Sequence, residues 1–259
     1  MIDKSIIIAG TVSNSGACIR PVYKNIKKIS NWFTRTRCIF IESDSIDNTI
    51  EILRQEKQAS NIETEVYSFG HLRHTISHRT GRIAAARNLY LDIVEEQYSD
   101  YDYLLVLDFN ESNIDEIDEE SIISNFRYEE WDMMCANQEK FYYDLWALRH
   151  PTWMPFDCWN RYDQPEGFTR EELTLYFIKS RFRHIPKDSK LLEVQSAFGG
   201  AAFINIKSIK GARHESIDDR GNEACEWISF CNKLNNGKSN IYINPKFINQ
   251  KQLSRHIAL

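Results

Sequence analysis

Apolar and polar positions in the first hundred residues switch repeatedly between two rhythms. Ser5 to Val12 is a nearly continuous apolar run, the mark of a strand covered on both faces. Ile19, Val22, Ile26, Ile29 and Phe33 then recur at helical spacing, and Arg37 to Glu42 is a second buried run. Ser45 or Asp47 can cap a helix carrying Ile50, Ile52 and Leu53. A third strand is predicted over Thr64 to Phe69, an Ala- and Leu-rich helix over Gly81 to Gln97, and a fourth strand over Tyr101 to Leu107, ending at Asp108. Strands alternating with helices imply a parallel sheet with right-handed crossovers. In such sheets ligands sit beyond the carboxyl ends of the strands. Thr11, Ser13 and Asn14, Glu42 to Asp47, and Asp108 with Asn110 all fall there.

After Asn110 the rhythm changes. An acidic run, Asp115 to Glu120, leads into a short helix over Glu119 to Phe126, followed by a strand over Trp131 to Ala136. Four of the six tryptophans lie between Trp131 and Trp159, so this half has a different task from the first. A helix is predicted over Thr169 to Phe182, a strand around a Gly pair over Glu193 to Ile206, a helix over Glu223 to Leu234 and a last short strand over Ile241 to Asn244. No repeat, linker or low-complexity segment interrupts the 259 residues, which read as one domain with halves 1–110 and 111–259.

Charge narrows the classes. The net charge of -5 argues against nucleic acid as a partner, which needs a concentrated basic surface. No run approaches the roughly 18 apolar residues of a membrane span, and the N-terminus reads as a buried strand, not a signal peptide. The six scattered cysteines form no CxxC pair and fit buried thiols, so a cytoplasmic location is expected.

Several clusters could carry chemistry. Asp108-Phe-Asn110 at a buried strand end could hold Mg²⁺ or Mn²⁺ through oxygen ligands against a diphosphate, although a polar turn explains it equally well. In Glu42-Ser-Asp44-Ser-Ile-Asp47-Asn-Thr49, Glu42 or Asp44 could accept from a ribose or base, while Asp47 and Thr49 suit a helix N-terminus. Arg79-Thr-Gly-Arg82 through Arg87 offers phosphate contacts from Arg82 and Arg87, which at a spacing of five do not share one helix face. His71, His74 and His78 have zinc-like spacing without a fourth ligand. Asp144, Trp146 and Arg149, in Tyr142 to Arg149, mix an aromatic face with hydrogen-bonding groups, as a carbohydrate cleft does; core packing or a plain strand is the alternative. Gly199 and Gly200 let backbone approach a ligand, or form a bulge. Glu226, or Glu223, could be a general base for an acceptor hydroxyl, although both also suit a helix N-terminus.

The order of these elements, with Tyr143-Asp144-x-Trp146-Ala147-x-Arg149, Phe198-Gly199-Gly200 and Cys225-Glu226-Trp227 as the most specific, resembles the GT-A glycosyltransferases, and more narrowly the Cap59-type, fungal capsule mannosyltransferase-related group. The resemblance runs from about Ile6 to Leu234. It implies a GT-A (Rossmann-like), mostly parallel sheet flanked by helices, with a smaller mixed acceptor-side half. It implies that Thr11, Glu42, Asp44, Arg82, Arg87 and Asp108 face a nucleotide-sugar, and that Asp108 and Asn110 hold Mn²⁺ or Mg²⁺. Asp144, Trp146, Arg149, Gly199 and Gly200 would then line the sugar and acceptor side, with Glu226 or Glu223 as base. Asn110 stands where many relatives carry a second acid, so Glu111 or His256 could assist the metal. The implied reaction moves a hexose to a hydroxyl of a glycan or lipid-linked acceptor, and a lipid-linked acceptor would bring peripheral membrane contact. A nucleotidyltransferase is a rival, but Gly10 to Gly16 lacks the cation its phosphate loop wants. A nucleotide-sugar or carbohydrate-binding protein without catalysis is another.

Overall fold

The computed structural model describes residues 1–160, 166–254 and 257. His256 lies outside the described residues. One eight-stranded sheet joins the two halves, built from β1 (Ile2–Val12), β2 (Phe33–Glu42), β3 (Glu63–Ser68), β4 (Tyr103–Leu107), β5 (Met133–Gln138), β6 (Leu192–Val194), β7 (Ala201–Asn205) and β8 (Ile241–Gln250) in the spatial order β3-β2-β1-β4-β7-β5-β8-β6. β1 to β4 are mutually parallel, as their alternation with helices predicts. β7 enters antiparallel between β4 and β5, β5 and β8 are parallel, and β6 closes the edge antiparallel to β8.

The apolar runs are apolar because both sheet faces are covered. Ile7 and Ala9 pack with α3 (Arg79–Gln97) and α6 (Glu226–Lys233), while Ile6 and Ile8 pack on the other face with α1 (Gly16–Ser30), α2 (Thr49–Gln58) and α4 (Glu119–Ile123). Fully burying each such side chain contributes about 1.5–3 kcal/mol.

Several predicted boundaries move. Phe33 belongs to β2, where its ring meets Phe126 at 5.5 Å; α1 ends at Ser30. The stretch predicted as one strand from Glu193 to Ile206 is two, β6 at the sheet edge and β7 near its centre, separated by a turn in which Gly199 and Gly200 take φ of 70° and 82°. β8 continues through Pro245, because its pairing with β5 shifts register there and no ladder bond is demanded of the proline. The helix expected over Thr169 to Phe182 is α5 (Arg170–Phe177), opened by a Thr169–Glu172 capping box and followed by a 3₁₀ turn, Lys179–Arg181. Tyr142 to Arg149 forms turns and isolated bridges instead of a strand. Glu223 lies in a bridge to Ile217, so α6 begins only at Glu226.

Candidate active site

A cleft of about 1370 Å³ opens above the carboxyl ends of β1, β2 and β4, and its walls include Thr11, Asp44, Asp108, Asp144, Trp146, Glu223 and Glu226. That exceeds the 300–1,000 Å³ typical of single small-ligand pockets, leaving room for two substrates.

Its floor is an ion cluster. From the middle of α3, the Arg87 guanidinium donates through Nε to Glu226 Oε1 at 3.2 Å, through Nη2 to Asp108 Oδ1 at 3.3 Å and through Nη1 to the Tyr90 hydroxyl at 3.3 Å. It lies 4.9 Å from the Phe198 ring centre and 4.6 Å from that of Trp227, and those two rings stack on each other at 4.2 Å. Arg87 is only 3% exposed. It contributes to the cleft lining, but its guanidinium is taken up by the two carboxylates, through which it would act on a ligand. Burial raises the pKa of Asp108 and of Glu226 above the usual carboxylate range, against the pull of Arg87.

The glycine pair builds this floor from below. The Asp108 N–H donates to the Gly200 carbonyl at 2.9 Å, and the Gly199 N–H donates to Asp144 Oδ2 at 2.9 Å. A Cβ on Gly199 would stand 2.5 Å from the Ala136 carbonyl oxygen, and one on Gly200 would stand 2.6 Å from Ser112 Oγ. Both glycines thus position acids and do not line the cleft, a correction to their expected place beside the sugar. Burial, with Asp108 and Glu226 nearby, pushes the Asp144 carboxyl up to about 6 against the pull of the Gly199 N–H.

Asn110 lines the cleft beside Asp108, but its side chain is already engaged. Its Oδ1 accepts from the Ser112 N–H at 2.9 Å and from the Ser112 hydroxyl, so the oxygen a metal would need caps a 3₁₀ turn, Glu111–Asn113. Its amide nitrogen faces Asp108 Oδ2 at 3.5 Å. Asp108 itself fits a hard divalent cation: it is a carboxylate at a strand end, open to the cleft, and Mg²⁺ or Mn²⁺ takes one or two carboxylates and completes its shell with phosphate and water. No group of three or more His, Cys, Asp or Glu gathers among the described residues, so neither a zinc site at His71, His74 and His78 nor an all-protein cage forms.

Glu42 and Arg149 support the walls without lining them. Glu42 accepts from the Ser45 N–H at 3.0 Å and from the Ser68 hydroxyl, tying the loop after β2 to the end of β3. Arg149 donates to Asp157 at 2.9 Å and to two backbone carbonyls; Asp157 also accepts from Trp146 Nε1 at 3.0 Å and so fixes that ring in the wall. Asp44 stands at φ 62° and accepts from the Arg73 N–H at 2.9 Å, with Arg82 Nε at 3.3 Å from its other oxygen. Burial would raise its pKa, but the Arg73 and Arg82 contacts leave it lowered. Arg82 also holds the Ile76 and Ser77 carbonyls, so Arg82 and Arg87 serve different acids of the cleft, Asp44 for one and Asp108 with Glu226 for the other. Glu223 caps α3 from outside, accepting from Thr80 Oγ1 at 2.6 Å and from the Thr80 N–H at 3.2 Å; these contacts lower its pKa.

Two lining cations escaped the sequence reading. Arg79, exposed at the first turn of α3, and Lys179 make no ion pair among the described residues. Arg79 sits in the quoted Arg79-Thr-Gly-Arg82 motif, and the signal that would have singled it out is its place at a helix N-terminus, where anions bind.

No protein-family model and no curated protein matches the chain. Solved structures do. Residues 1–349 of S. aureus TarS match with a TM-score of 0.53 at 11% identity, over 92% of this chain and 57% of that one. The mannosyltransferase PcManGT from Pyrobaculum calidifontis, in complex with GDP-Man and Mn²⁺, matches with a TM-score of 0.56 at 9% identity, over 98% of this chain and 59% of that one. The fold is GT-A. The chain thus spans less than two thirds of the length of these GT-A structures, and at such identities the likeness concerns the fold.

Proposed function

We propose that the chain is a glycosyltransferase of the Cap59-related group that moves a hexose from a nucleoside-diphosphate sugar to a hydroxyl of a glycan or lipid-linked acceptor. The observation that carries this reading is the convergence, in one cleft at the strand ends of a GT-A fold, of Asp44, Asp108, Glu226 and the exposed cation Arg79. The TarS structure solved with UDP-GlcNAc and PcManGT with GDP-Man and Mn²⁺ share that fold, which supports a nucleotide-sugar donor. The cleft's size supports a donor and an acceptor side by side.

In this reading Thr11 and Asp44 meet the nucleoside, and Arg79, at the N-terminus of α3, holds the diphosphate. Asp108 would hold Mn²⁺ or Mg²⁺, which would neutralise charge on the leaving diphosphate. Trp146 stacks on the sugar, its ring fixed by Asp157. Glu226 takes the acceptor proton, its burial raising its basicity toward the working pH while Arg87 fixes its orientation. Asp144, pushed up to about 6, supports a second reading in which it is the base. Release of nucleoside diphosphate from a panel of UDP- and GDP-hexoses with mixed glycan acceptors tests the proposal. Loss of release in Glu226→Gln but not in Asp144→Asn supports Glu226, the reverse supports Asp144, and no release from any donor by the wild type contradicts transfer.

A further inference from the structure

The mouth of the cleft carries a feature that sugar transfer does not require. Among the eight residues of α5, only Leu173 is buried. Thr174, together with Ile178, Lys179 and Phe182 just beyond the helix, lines the cleft. Leu175 and Tyr176 turn outward at 59% and 61% exposure, and Phe168, just before the helix, is 60% exposed. Exposed apolar residues scattered singly need no explanation, but here they crowd one capped helix at the cleft mouth. The flanking charge leans positive: from Phe168 to Lys190 there are six Lys and Arg against Glu171, Glu172 and Asp188, in a chain of net charge -5, and all the acids but Asp188 sit at the start of α5. Arg181 lies 5.8 Å from the Tyr176 ring, so cationic and apolar groups share this surface.

We infer that α5 and the turn after it form a docking surface for an anionic lipid bilayer, with the cleft mouth held at the membrane surface. An amphipathic element with aromatic and aliphatic residues beside Lys and Arg lies in the interfacial plane, its apolar side chains among the headgroups and its cations on anionic lipid. A second copy of the chain fits less well, since a two-fold contact through this patch would set Lys179 and Arg181 close to their own copies. One eight-residue helix is also far short of the roughly 800 Å² per partner that a stable protein interface buries. Among the described residues no helix is long and apolar enough to cross a membrane, so the contact is peripheral.

Co-sedimentation of the full chain with vesicles tests this without any donor, so its failure is distinguishable from failure of the transfer reading. The chain is expected to bind vesicles of phosphatidylcholine doped with phosphatidylglycerol and not phosphatidylcholine alone. Leu175→Ser with Tyr176→Ser should weaken partition about tenfold or more, with the melting temperature of the free protein unchanged. Phe168→Ser, outside the helix, should weaken it in the same direction. Lys179→Gln with Arg181→Gln should lower binding about fivefold per cation and weaken its salt dependence. No binding to anionic vesicles, binding unaffected by the apolar substitutions, or self-association in solution that those substitutions abolish would each overturn the inference.

Discussion

Replacing Arg87 by Met tests the ion cluster most severely. Met keeps much of the side-chain volume against Phe198 and Trp227 but removes the guanidinium that contacts Glu226, Asp108 and Tyr90 at 3.2 to 3.3 Å. Glu226 is 5% exposed and cannot recover its solvation. Breaking a buried pair by removing one partner costs about 3–5 kcal/mol, because a charge is left uncompensated. For a chain of this size that lowers Tm by on the order of 10 °C. The deficit also has a pH signature. Both carboxylates already have raised pKa values, and without Arg87 these rise further. A raised folded-state pKa gives stability that is lost as pH rises through it, so the variant should fall further below the wild type at pH 8 than at pH 5. Urea denaturation at both pH values measures this, with Arg87→Lys as an intermediate case that keeps charge and loses the fork. A Met variant within about 1 kcal/mol of wild type at pH 8 would refute the argument that the acids depend on Arg87.

Other consequences follow from the same geometry. Asp144, raised from 3.8 to about 6, destabilises the ionised protein by about 3 kcal/mol at pH 8; Asp144→Asn should therefore gain stability at pH 8 and lose that gain near pH 4, and an equal effect at both would contradict the assignment. Gly199→Ala should destabilise more than Gly200→Ala, although both sit at positive φ, because Cβ at 199 meets the Ala136 backbone while at 200 it meets the Ser112 and Tyr143 hydroxyls, side-chain ends that can shift; parallel thermal melts compare them. Glu226→Gln should lower turnover by about 10²–10⁴, whereas Glu223→Gln should leave it unchanged and soften only the start of α3, by about 0.5–2 kcal/mol. Equal loss of turnover in both variants would return Glu223 to the chemistry.

The first half of this fold is legible in the sequence because β1, β2 and β4 are covered on both faces, so apolar runs and helical spacing mark its elements nearly one for one. Legibility falls where sequence neighbours part in space. Glu193 to Ile206 reads as one strand, but β6 and β7 are separated in the sheet by β8 and β5, and only the left-handed turn at Gly199 and Gly200 makes the break. Asp44 and Asp108 are readable as acids at strand ends, Glu226 as one at a helix start and Asp144 as part of an aromatic, hydrogen-bonding stretch, and all four do share one cleft. What one sequence position cannot reveal is a partner from far along the chain. The engagement of Asn110 by Ser112 is local and could have been foreseen as a cap, whereas Arg87 meeting Glu226 and Thr80 meeting Glu223 depend on how α3 packs beside the start of α6. Arg79 went unselected because the motif offers three arginines and only geometry separates the paired ones from the exposed one.

Donor binding tests the central claim most directly. Thermal shift of the wild type and Asp108→Ala should be recorded with UDP, GDP, CMP and their sugars, each with and without Mn²⁺. At one hundred times its dissociation constant a bound nucleotide adds about 2.7 kcal/mol, or on the order of 5–10 °C. A Mn²⁺-dependent shift for one base, abolished in Asp108→Ala, is the predicted result and names the nucleotide. No shift with any nucleotide in the presence of Mn²⁺ would contradict the account.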